Sequence, residues 1–324
     1  MIAVSNADRV VFPAIGRTKG DVVAYYERIA PRAMPHVLER PMSIRRFPKG
    51  LAGPGFFQKN VPPHYPESIG RLAVPRSEAA TKMHPRKSVK KKTADGEPQD
   101  FTVYPIVRDA AHLAYLANQG AIELHVPTTR ASDLGHPDRL IIDLDPPEGA
   151  VALVQRAALL TRDALAEMGL ATVPIATGSK GYHVVAAILP TIDAETLATT
   201  LQKVGALLAA RHAEELTTTF RIALRGQRVF VDWLRNRRGA TVIAPYSLRA
   251  RPRASVATPL SWSELETTAP DAFTIDDVDR LLDRPDSLAE LAARAVDAAP
   301  FVAHVDAAFA TAGLVLETFD RFRS

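Results

Sequence analysis

The chain of 324 residues is 47% apolar and 23% charged, the proportions of a globular protein with length enough to bury a core. That composition excludes a disordered chain, a collagen-like fibre and a coiled coil, and the absence of cysteine excludes disulfides, thiolate metal sites and cysteine nucleophiles. No run approaches the roughly 18 uncharged apolar residues a membrane span needs, and the start, MIAVSNADRVVFP, lacks a basic segment followed by an apolar one, so neither a span nor a secretory signal is expected and the address reads as cytoplasmic. A net charge of +4 with pI ≈ 9.3 is compatible with a polyanionic partner.

The elements follow in order. Val22, Val23, Tyr26, Ile29 and Ala30 recur at helical spacing over 19–37, with Pro31 expected to break or kink that helix. Strands are predicted at 42–47 and 56–60, the second after the Gly53-Pro-Gly55 turn. Two adjacent aromatics, Phe56 and Phe57, cannot share one face of a strand, so one is expected to be exposed and available for base stacking. Lys82, Arg86, Lys87, Lys90, Lys91 and Lys92 then crowd a stretch without apolar periodicity, read as a long, exposed, mobile loop over about 76–100. A strand at 101–107, a helix at 110–119 closed by Gly120, and strands at 121–126 and 139–145 come next. A helix at 151–169 leads to strands at 171–177 and 182–188, joined by Gly178-Ser-Lys-Gly181, and a long helix at 194–216. Segments 228–233 and 240–246 read as a hairpin around Asn236-Arg-Arg-Gly239, and the tail from about 261 as short helices. The order argues an α+β fold with a mixed sheet, a helical N-terminal lobe, a sheet-centred C-terminal lobe and no true linker.

The chemistry concentrates in three places. In Leu140-Ile-Ile-Asp-Leu-Asp-Pro146, Asp143 and Asp145 point to one face of a buried strand, roughly 6.5–7 Å apart at the backbone. From there they can converge on divalent ions about 3.5–4 Å apart, and oxygen ligands suit Mg²⁺ or Mn²⁺. Asp-x-Asp alone equally describes solvated acids on an edge strand, but Asp232 ends a second apolar strand, Arg228-Val-Phe-Val-Asp-Trp233, among arginines running from Arg225 to Arg253. Three such acids resemble a two-metal site for phosphoryl or nucleotidyl transfer. The turn Thr177-Gly-Ser-Lys-Gly-Tyr-His183 is either an ordinary hairpin or a phosphate cradle of amides, Ser179, Lys180 and His183; it is neither a P-loop nor a dinucleotide fingerprint.

In that order, with Tyr246-Ser-Leu-Arg249, Asn6-Ala-Asp-Arg-Val-Val-Phe-Pro13, Thr18-Lys-Gly-Asp21, Phe56-Phe-Gln-Lys-Asn60 and Glu123-Leu-His-Val-Pro127, these strings resemble the archaeo-eukaryotic primase superfamily, and within it the polymerase domain of bacterial DNA ligase D and its stand-alone relatives. The match spans about residues 5–260 and implies one primase-polymerase domain over 1–324, with mixed sheets flanked by helices and a helical, basic N-terminal part. It implies that Asp143, Asp145 and Asp232 hold two Mn²⁺ or Mg²⁺ ions, with His125 beside them and the incoming sugar. Thr177, Ser179, Lys180, His183 and Arg249 would take the triphosphate, and Phe56 and Phe57 the bases. Arg9 and Lys19 would grip a 5′-phosphate at a gap or break, with Lys59, Lys82, Lys87, Lys90, Lys91 and Lys92 as further DNA contacts. Relatives commonly carry Ser at position 177 and Lys at position 9, departures that keep a hydroxyl and a charge respectively.

The expected activity is template-directed gap filling, with ribonucleotides preferred by resemblance only. The alternatives are a non-catalytic DNA-end bridging module and a primer-independent primase. No ligase or nuclease motif follows residue 260, so the expected partners are gapped DNA, nucleoside triphosphates, a separate DNA ligase and Ku, at the nucleoid.

Overall fold

A computed structural model describes residues 3–75 and 101–316. The helices are α1 (Lys19–Val37), α2 (Ala110–Asn118), α3 (Val151–Glu167), α4 (Ala194–Arg211), α5 (Trp262–Leu265), α6 (Val278–Asp283), α7 (Ser287–Ala292) and α8 (Ala299–Thr311). The strands of the N-terminal half are β1 (Val10–Phe12), β2 (Arg17–Thr18), β3 (Ser43–Arg46), β4 (Phe56–Gln58), β5 (Gly70–Pro75), β6 (Phe101–Ile106) and β7 (Ala121–Val126). Those of the C-terminal half are β8 (Arg139–Asp145), β9 (Val173–Ala176), β10 (Tyr182–Ala187), β11 (Leu216–Thr217), β12 (Val229–Asp232), β13 (Val242–Ile243) and β14 (Thr258–Pro259). The α+β class is as expected from the sequence. Among the described residues no helix is long and apolar enough to cross a membrane.

Two sheets carry the architecture, a six-stranded one ordered β11-β12-β8-β10-β9-β14 and a four-stranded one ordered β13-β7-β3-β4. The larger is mixed, since β11 runs parallel to β12 while its other pairs are antiparallel. Its strands are apolar on both faces, and the faces have different partners. Leu140, Ile142, Leu144, Tyr182, Val184, Val229 and Val231 join the main buried cluster, on the side where α3 packs on β8 and β10 and α4 on β12. Ile141, Val173, Ile175 and Val185 form a second cluster with Val242 of the smaller sheet and Leu288 of α7. The acids at the ends of β8 and β12 share this second face, which directs them toward the four-stranded sheet.

Three expectations need correction. Segments 228–233 and 240–246 do not pair with each other: β12 pairs with β8 and β11, and β13 with β7. The turn at Asn236 is a crossover between sheets, anchored because the buried Asn236 amide donates to Ile141 O at 2.6 Å and accepts from Ile141 N at 2.8 Å. The N-terminal lobe is not purely helical, because β3, β4 and β7 supply three of the four strands of the smaller sheet. Helix α1 runs unbroken through Pro31 and Pro35. Its capping box closes the start, with Asp21 N bonded to Thr18 Oγ1 at 3.3 Å and Thr18 N to Asp21 Oδ2 at 2.7 Å. A buried face of Val23, Tyr26, Ile29, Ala30, Ala33 and Val37 outweighs the lost helical bond. The same helix is fixed to the four-stranded sheet and to the segment after β13, as Tyr26 Oη donates to Ile122 O at 2.6 Å and Tyr25 Oη to Tyr246 O at 2.9 Å.

Candidate active site

Strand register builds the site. On β12, β8 and β10, Asp232 pairs with Asp143 and Asp143 with His183, so the three form one row across the sheet. Asp145, opposite Phe230, stands two residues further along the same face. One oxygen from each of Asp143, Asp145 and Asp232 lies within 4.8 Å of the others. The donors are all carboxylate oxygen, a set that fits a hard divalent cation. Their mutual repulsion is visible in protonation: burial first and Asp143 second raise Asp145 above the usual carboxylate range and lift Asp232 to about 6. Arg235 offsets part of this, with its Nε 3.2 Å from Asp143 Oδ2 and 3.3 Å from Asp232 Oδ2.

The glycine turn stands beside the acids because β10 pairs with β8. Gly181 is required there, since a Cβ would lie 2.0 Å from Leu144 O. Gly178, at φ 66°, is equally closed to a side chain, with the Val256 carbonyl carbon 2.9 Å from a built Cβ. Thr177 is buried, and its hydroxyl donates to Gly181 O at 2.7 Å, closing the turn. Lys180 is exposed at the rim, 4.0 Å from Asp145 Oδ1, and donates to Pro146 O at 3.2 Å. Arg249 Nη1 donates to Thr177 O at 2.9 Å, and Arg251 Nη2 to Ser179 Oγ at 2.8 Å, so two arginines border the turn. His183 is buried, and that burial, against the pull of Asp143, holds its imidazole down at about 4. It is therefore uncharged at neutral pH.

The four-stranded sheet forms the opposite wall. His125 on β7 has Nε2 3.0 Å from Glu123 Oε2, and its ring meets Phe57 edge-on at 5.2 Å. Phe56 and Phe57 are both exposed, at 47% and 58%, where the sequence reading exposed only one, because β4 is an edge strand with neither face covered at that point. Their cross-strand partners on β3 lie over the rings, Arg46 5.7 Å from the Phe56 centroid and Arg45 5.8 Å from that of Phe57.

Arg9 and Lys19 lie apart from the acids and line a cavity of about 180 Å³ together with Ser5, Asn6, Arg46 and Asn118. Lys19 is buried, its Nζ donates to Ser5 O at 2.6 Å and Ser5 Oγ at 2.8 Å, and burial and Arg9 lower its pKa. Lys59 is exposed just beyond β4. Lys82, Lys87, Lys90, Lys91 and Lys92 fall outside the described residues.

The model of the LigD primase-polymerase domain matches residues 18–288. The chain belongs to the LigD primase-polymerase family. It is accordingly a DNA-directed nucleotidyltransferase by family. The chain is 34% identical over 286 residues to the multifunctional non-homologous end joining DNA repair protein LigD of Mycobacterium tuberculosis, covering 86% of this chain and 35% of that protein. It is 30% identical over 280 residues to the bifunctional non-homologous end joining protein LigD of Bacillus subtilis, covering 85% and 41%. The chain thus spans well under half the length of these curated relatives. A solved structure described as the polymerase domain from Mycobacterium tuberculosis ligase D in complex with DNA superposes with a TM-score of 0.79 at 33% identity, covering 91% of this chain and 99% of that one.

The candidate site also holds residues that sequence reasoning did not name as members: Arg45, Arg46, Glu123, Arg235 and Arg251. Arg235 carried a readable signal, three positions after Asp232. Glu123 carried a fainter one, an acid between the apolar Ile122 and Leu124, two positions from His125 and therefore on its face of the strand.

Proposed function

We propose that this LigD-type primase-polymerase adds nucleotides, ribonucleotides in preference, to primer ends at short DNA gaps or breaks bearing a 5′-phosphate. The observation that carries the reading is the convergence of Asp143, Asp145 and Asp232 beside a glycine turn bordered by Lys180, Arg249 and Arg251. Clustered acids beside groups suited to phosphate are costly for a pure nucleic-acid binder and useful to an enzyme that brings a cation between them.

Asp143, Asp145 and Asp232 would hold Mn²⁺ or Mg²⁺. When bound, the divalent ions supply positive charge that favours ionisation of a primer 3′-hydroxyl and departure of pyrophosphate. Lys180 and Arg249 provide cations for the triphosphate, and Arg251 orients Ser179 toward it. His183, being neutral, acts there as a hydrogen-bonding group and not as a third cation. Phe56 and Phe57 offer exposed ring faces for base stacking, and Arg45 and Arg46 hold the rings. Arg9, Lys19 and Arg46 give the separate cavity the charge to receive a terminal phosphate. The LigD relationship supports the reading that the protein works alongside a DNA ligase and Ku in break repair.

The test is extension of a labelled primer on gapped DNA, with and without a 5′-phosphate, in Mn²⁺ or Mg²⁺ and with single ribo- or deoxyribonucleotides. Templated addition that improves with the 5′-phosphate is expected. Binding of gapped DNA without addition under any of these conditions would leave an end-bridging module instead.

A further inference from the structure

Glu123 is 2% exposed, and its two carboxylate oxygens have different partners. Oε1 accepts from Ala250 N at 3.0 Å, Arg45 Nη1 at 3.3 Å and Arg249 Nε at 3.4 Å. Oε2 faces His125 Nε2 at 3.0 Å. One buried carboxylate therefore joins the histidine that meets Phe57 edge-on, an arginine at the glycine turn and an arginine over Phe57.

We propose that Glu123 is a positioning residue: it fixes His125 as the Nε2–H tautomer and holds Arg249 with the same carboxylate, so that the sugar and triphosphate contacts of the incoming nucleotide form one rigid unit. What His125 and Arg249 touch rests on the nucleotidyltransferase reading above; the tautomer follows from the 3.0 Å contact with a carboxylate and does not need that reading. An ionised carboxylate only accepts hydrogen bonds, so Nε2 must donate. Glu123 is ionised, because the hydrogen bond from His125, the charge of Arg249 and the Ala250 amide overcome burial and hold it at about 2. Burial outweighs the pull of Glu123 on His125 and lowers the imidazole's pKa from its usual value, which favours the neutral ring. Nδ1 is left as a bare acceptor. An acceptor nitrogen suits a sugar hydroxyl and disfavours an anionic phosphate oxygen, which assigns His125 to the sugar and leaves the triphosphate to Arg249.

Glu123→Gln separates these roles. The amide oxygen will take the Oε1 position, where three N–H donors converge, so the NH₂ group must face His125. Nε2 must then accept, and the ring must shift its proton to Nδ1. Long-range ¹H–¹⁵N NMR of the imidazoles should show Nε2 protonated in the wild type and Nδ1 protonated in Glu123→Gln. The KM for ribonucleoside triphosphates should rise about tenfold or more, with a smaller effect on 2′- or 3′-deoxy analogues, whichever lacks the hydroxyl His125 contacts. That difference should vanish in a His125→Ala background, where no ring remains to flip. A merely structural role would lower melting temperature and leave both the tautomer and the hydroxyl dependence unchanged. An Nδ1–H tautomer in the wild type, read without any variant, overturns the proposal. So does a folded Glu123→Gln that keeps Nε2–H, or whose KM is unchanged. A wild type that adds no nucleotide would instead sink the functional reading, while the tautomer measurement would still decide the positioning role.

Discussion

Asp232→Asn is expected to stabilise the metal-free protein near neutral pH and to abolish its response to divalent metal. Asp232 is 4% exposed; its Oδ1 accepts from Leu234 N at 2.8 Å and its Oδ2 lies 3.3 Å from Arg235 Nε. Burial and Asp143 raise its pKa from 3.8 to about 6. At about 1.4 kcal/mol per pKa unit, holding this carboxylate ionised in the fold costs on the order of 3 kcal/mol above that pH. The raised pKa means that the folded chain binds more protons than the unfolded one between 3.8 and about 6, so stability falls as pH rises through that window. Asparagine never ionises and keeps the acceptor for Leu234. It turns an NH₂ toward Arg235, a loss of about 1 kcal/mol. The net gain at about pH 7.5 is ~1–2 kcal/mol, a few degrees in melting temperature. Near pH 4.5 wild-type Asp232 is protonated in the fold and most of the gain disappears. Calorimetry in EDTA at both pH values measures the difference, and repeating it in Mn²⁺ should reverse the order by stabilising only the wild type. A variant less stable than wild type at pH 7.5 in EDTA, or a gain equal at both pH values, would refute the reasoning.

Asp145→Ala should abolish nucleotide addition while leaving gapped-DNA binding unchanged or tighter, because it removes a ligand and a repulsive charge together; wild-type extension would end the metal assignment. His183→Gln should flatten the acid limb of stability. With its pKa lowered from 6.5 to about 4, the wild-type histidine loses stability as pH falls between those values, reaching on the order of 3 kcal/mol, and urea titrations at both ends of the window read the change. Lys19→Ala should weaken binding of gapped DNA by roughly tenfold or more only when a 5′-phosphate is present. Equal loss on unphosphorylated DNA would make Lys19 a general backbone contact.

The sequence made the acids legible because strand geometry is local: alternation alone puts Asp143 and Asp145 on one face, and a second apolar strand ending in Asp232 asks for a buried neighbour. Which neighbour is a matter of register between strands far apart in the chain, and periodicity does not encode it. The same gap explains the mistaken hairpin at 228–246: both segments looked like strands, and both are, but Val242 pairs with Val126 in the four-stranded sheet while β12 belongs to the six-stranded one. Pro31 misled for a related reason, since the packing of Tyr26 and Ile29 that holds α1 together is tertiary. Glu123 was passed over because its three basic neighbours come from positions 45, 125 and 249.

His183 pairs with Asp143 of β8 and, across the turn fixed by Gly178 and Gly181, with Ile175 of β9, which makes turn length a matter of parity. One residue added between Ala176 and Tyr182 would rotate β10 by half a pleat period, sending His183 to the helix-covered face and Tyr182, now bonded to Thr268 O at 2.5 Å, into the acids. Two added residues would restore parity but carry Lys180 away from Asp145, from which it now stands 4.0 Å. Change in this turn is thereby confined to exchange of side chains at Ser179 and Lys180, the two positions between glycines that admit no Cβ.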